Sequence, residues 1–83
     1  MNQNELWAKV NAIKRRVLIA IGTTANLGHA FRSSQPYQAY TGLCGEAQMA
    51  HDDGELTEEL VQLLEKQAKT VITLWQAQAK QEE

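Results

Sequence analysis

The sequence predicts an all-α protein, a three-helix antiparallel arrangement with long first and third helices, completed by homodimerisation. Leu6, Val10, Ile13, Val17, Ala20, Thr24, Leu27 and Phe31 recur at alternating spacings of four and three. That rhythm keeps all eight on one helix face. A second apolar face of the same kind runs through Val61, Leu64, Ala68, Val71, Ile72 and Trp75, with Leu60 alongside. No segment alternates apolar and polar residues as a half-buried strand would.

The first helix is expected over about residues 4–32. Asn4 is a suitable N-cap, and Glu5 falls in the first turn, where the helix dipole favours an acid. Gly22 and Gly28 each weaken a helix by ~1 kcal/mol relative to alanine. The stripe nevertheless stays in register to Phe31, which argues for one continuous helix bent near Gly22, with two shorter helices as the alternative. Ser33-Ser34-Gln35-Pro36 then combines two capping hydroxyls with the only proline and opens a second helix, 36–52. Its apolar face is Tyr40, Leu43, Cys44, Ala47 and Ala50, flanked by Tyr37 and His51. Gly42 and Gly45 lie on or beside that face and would let another axis approach closely. Gly54 is placed to end the helix in the left-handed conformation. The third helix, 57–79, has Thr57 as N-cap, Glu58 and Glu59 in its first turn, and a staple of Leu56 against Val61. Leu63 and Leu74 form a sparser line beside its main face, and the polar tail from Gln76 frays.

Eighty-three residues make a single helical domain, 1–83, that buries only ~60–65% of its unfolded surface. The lone Cys44 excludes an intrachain disulfide and suits a reducing compartment. The apolar run Val17 to Ile21 stops at Gly22, far short of the ~18 residues of a membrane span, and the N-terminus lacks signal-peptide character. These features predict a soluble cytoplasmic protein without a membrane partner. Charge is split. Residues 1–45 carry net +4 and residues 46–83 net −6, within an overall −2. Either a basic first helix lies beside an acidic last one, or a dipolar surface steers a charged partner.

Chemistry is sparse. Lys9, Lys14, Arg15 and Arg16, with Arg32 beyond them, could contact phosphates. However, the three consecutive cations fan around roughly 200° of the helix, and the aromatics are not interleaved with them. A DNA-reading helix-turn-helix would place Asp52, Asp53, Glu55, Glu58 and Glu59 against the phosphates, which repels them. The same acids do not match an EF-hand loop, and His29, His51 and Cys44 lack metal-ligand spacing. Cys44 and His51 share a helix face but sit about 10 Å apart by rise, beyond hydrogen-bond reach. No enzyme, metal or cofactor is therefore expected.

Trp7 and Trp75 would share one end of the bundle if the first and third helices are antiparallel. Core packing is the simpler role for both, and an anchor for a partner the alternative. Tyr37 and Tyr40 carry the same ambiguity. The first helix would be ~42 Å long, against a ~25 Å diameter for a domain this size. Part of its face would then need a second copy to cover it. The function expected is a small non-enzymatic interaction protein, an adaptor or inhibitor of another protein such as an accessory or phage-type regulator. Its candidate interface is Trp7, Tyr37, Tyr40, Leu63, Leu74 and Trp75. The alternative is a nucleic-acid-associated regulator using Lys9, Lys14, Arg15, Arg16 and Arg32.

Overall fold

In the computed structural model, residues 2–22 and 29–81 are described, with side chains over 2–22 and 31–78. Asn2, not Asn4, caps the first helix, α1 (Gln3–Ile21). Its Oδ1 accepts the Glu5 N–H at 2.8 Å while its Nδ2 donates to Glu5 Oε1 at 3.3 Å, a reciprocal arrangement resembling a capping box. The helix ends at Gly22, whose N–H donates to the Leu18 carbonyl at 2.8 Å. Gly22 takes φ 86° and ψ −159°, a region essentially reserved for glycine, so the expected continuous helix to residue 32 is not formed. The stripe itself leaves register before the break. After Val17 the next buried residue is Ile21, while Ala20 is only half-buried. Thr24, Leu27 and Gly28 lie outside the described residues.

Phe31 is buried, but from the single turn α2 (His29–Arg32). Ser34 follows in extended backbone and precedes α3 (Gln35–Asp52), with Pro36 in its first turn. The Ser34 hydroxyl does not cap α3; it donates back to the Phe31 carbonyl at 2.6 Å and closes the turn behind it. At the other end of α3 the Glu55 N–H reaches the Ala50 carbonyl at 2.7 Å and the Gly54 N–H reaches that of His51 at 3.0 Å. With Gly54 at φ 71°, this is the Schellman pairing that satisfies the last carbonyls. Helix α4 (Glu58–Gln81) begins as expected, the Leu60 N–H donating to Thr57 Oγ1 at 3.2 Å. It remains helical past residue 79, where the sequence suggested fraying.

Helix α3 runs antiparallel to both neighbours, so α1 and α4 are parallel. Gln3 meets Leu56 just before α4, and Arg16 meets Glu65 further along the same pair of helices. The expectation that Trp7 and Trp75 share an end therefore fails. Trp7 stacks on His51 at the C-terminal end of α3, with centroids 4.3 Å apart and planes 9° from parallel. Trp75 sits at the opposite end, edge-on to Phe31 at 5.0 Å.

Leu6, Val10, Ile13, Val17 and Ile21 of α1 pack into one core with Val61, Leu64, Ala68 and Val71 of α4. Helix α3 contributes only Tyr40 and Ala47 as fully buried residues. Its Gly42 and Gly45 face outward with no atom within 4 Å of a would-be Cβ, so they serve no close helix approach within the chain. At 19 residues α1 spans ~28 Å, and its neighbours cover the buried stripe from Leu6 to Ile21. The length mismatch that called for a second copy is absent. Among the described residues no helix is long and apolar enough to cross a membrane.

Candidate functional site

Helix geometry sorts the cations of α1 onto different flanks. Successive residues rotate by about 100°, so Lys9 and Arg16 fall toward α4 whereas Lys14 falls toward α3. Lys9 and Arg16 line a cleft of about 300 Å³ together with Glu58 and Glu65. Within it Arg16 Nη2 lies 3.3 Å from Glu65 Oε1. Part of the expected pairing between a basic first helix and an acidic last one is thus present. Lys14 and Arg15 instead rim a groove between α1 and α3, and Arg32 is exposed on α2. The five cations read from sequence do not form one surface.

The six candidate interface residues are also dispersed. Tyr37 and Tyr40 reach the groove rimmed by Lys14 and Arg15. Trp7 and Trp75 are half-buried in the aromatic contacts at opposite ends of the bundle. Leu63 is 56% exposed, and Leu74 lines a shallow depression along α4 with Lys66 and Lys69.

The groove has a volume of about 320 Å³ and an apolar floor of Val17, Leu18, Ile21, Tyr37 and Tyr40. Among the described residues, Lys14 and Arg15 are its only charged lining residues, and no carboxylate lines it. Tyr37 and Tyr40 are held by an aromatic chain, 6.2 Å apart by centroid, with Phe31 behind Tyr37 at 5.4 Å. Burial pushes the Tyr40 phenol well above its ordinary range, and the neighbouring Cys44 raises it further. Burial also pushes the Cys44 thiol up, outweighing the opposite effects of Tyr40 and Lys14. Both groups stay neutral near pH 7, so the floor adds no negative charge beneath the cationic rim.

Leu18 is 55% exposed in this groove, and Ile19, rotated about 100° from it toward the outer side of α1, is 75% exposed. Sequence reasoning missed both because it followed the buried stripe. The signal was present in the run Val17 to Ile21: adjacent apolar residues on a helix cannot all face one core. His51 stacks on Trp7, and its buried Nδ1 has no hydrogen-bond partner. Among the described residues no three His, Cys, Asp or Glu side chains gather as a metal site would require. No family model matches the chain, and no curated protein or solved structure matches it either.

Proposed function

We propose that this chain is a small protein-binding module, an adaptor or inhibitor that acts through contacts and not through chemistry of its own. The observation that carries this reading is the apolar surface at the C-terminal end of α1. There Leu18 stands exposed within an open apolar groove and Ile19, one residue on, is exposed on the outer side of the helix. Exposed apolar residues next to a preformed groove are what protein partners bury. A second copy of the chain is one possible occupant, but its original support, an uncovered long helix, is gone. The nucleic-acid reading gains less, because Arg16 is engaged by Glu65 and Lys9 shares that acidic cleft.

A pull-down tests the reading. Tagged full-length protein, incubated with lysate of the cells that naturally produce it, is expected to retain a discrete partner. The double change Leu18→Glu and Ile19→Glu should abolish retention, while Met49→Glu, on the outer face of α3, should not. Retention that survives the α1 changes, with helicity intact by circular dichroism, would contradict it.

A further inference from the structure

We infer that the α1–α3 groove accepts an acidic segment of a partner protein, with an apolar anchor seated beside Tyr37 and Tyr40 and carboxylates meeting Lys14 and Arg15. This rests on the protein-binding reading and adds the chemistry of the partner. The two flanks of α1 differ in the property that matters. Toward α4, Lys9 and Arg16 share their cleft with Glu58 and Glu65, and Arg16 pairs with Glu65 there. Toward α3, Lys14 and Arg15 rim an apolar floor with no carboxylate among the lining residues. Complementarity there calls for negative charge around an apolar centre. At about 320 Å³ the groove lies at the small end of ligand pockets and suits one large side chain. Leu18, 55% exposed on the groove wall, and Ile19 on the outer side of α1 leave further apolar surface beside it, which an extended segment covers better than a small molecule does.

A displayed library of random peptides, panned on the immobilised full-length protein, provides the probe. Enriched peptides are expected to carry Asp or Glu around a Leu, Phe or Trp anchor. A synthetic peptide of that sequence, followed by fluorescence anisotropy, should bind roughly tenfold or more weakly to the Lys14→Glu/Arg15→Glu variant and lose affinity as salt rises. Both substituted positions are exposed, and unchanged circular dichroism confirms the fold. Enrichment of neutral or basic peptides, equal binding by the variant, or no enrichment would overturn the inference. Tighter binding of duplex DNA to the same rim would overturn it too. A partner captured through Leu18 and Ile19 but insensitive to Lys14→Glu/Arg15→Glu would sink the inference while leaving the binding-module reading standing.

Discussion

The Gln3 carboxamide ties α1 to the turn before α4. Its Nε2 donates to the Leu56 carbonyl at 2.7 Å and its Oε1 accepts the Leu56 N–H at 2.9 Å, matching both backbone groups of one residue. Leu56 is 3% exposed, so water replaces these bonds poorly. Gln3→Ala should cost about 1–2 kcal/mol in urea unfolding, and an unchanged midpoint would refute that role. Tyr40 and Cys44 supply a pH dependence. Burial favours their neutral forms, so the folded chain holds both protons more tightly than the unfolded chain does. Their contribution is intact below the ordinary thiol value of 9.0 and is lost as pH rises through the raised folded-state values. Denaturation midpoints should therefore fall as pH rises above 9.0, and Tyr40→Phe should flatten the decline above the ordinary phenol value of 10.0. At this scale the sequence was partly legible. Thr57 could be read as a cap because its partner is three residues away. Gln3 could not, because its partner lies 53 residues on.

Helices α1 and α3 end where glycine permits a turn, and the four described glycines divide by sign of effect. Gly22 and Gly54 have positive φ, so alanine at either should destabilise by about 1–2 kcal/mol although the space is open. Gly42 and Gly45 lie in the interior of α3 with nothing near a new Cβ, so alanine there should stabilise by about 0.5–1 kcal/mol each. Thermal melts of the four variants should separate into two pairs on either side of wild type. A loss at Gly42 or Gly45 would show that those positions face something. Periodicity identified three long helices and most of their buried faces. It failed at Gly22 because eight positions in phase do not exclude a break. Phe31 reaches the core by a separate turn that happens to restore the count.

The whole molecule is an elongated bundle of 44 × 20 × 18 Å in which α4 packs against both the parallel α1 and the antiparallel α3. All-α class followed from pattern alone. Helix pairing did not, since the parallel relation of α1 and α4 follows from the number of turns between them and not from either helix. The dispersed cations have the same origin: Lys14 and Arg16 are two residues apart, yet rotation sends them to different neighbours. Because the bundle closes its own core, sedimentation at tens of micromolar is expected to show a monomer, and a stable dimer would restore the second copy as occupant of the exposed face.

The central claim is that the exposed end of α1, beside the α3 groove, is where another protein binds. Photo-cross-linking in the producing cells tests it most directly, with a photoreactive residue placed in turn at position 19 and at position 49, which are 75% and 68% exposed. The prediction is a discrete adduct to a different protein from position 19 and none from position 49. Adducts from position 49 alone, or an adduct from position 19 at twice the mass of the chain, would contradict it.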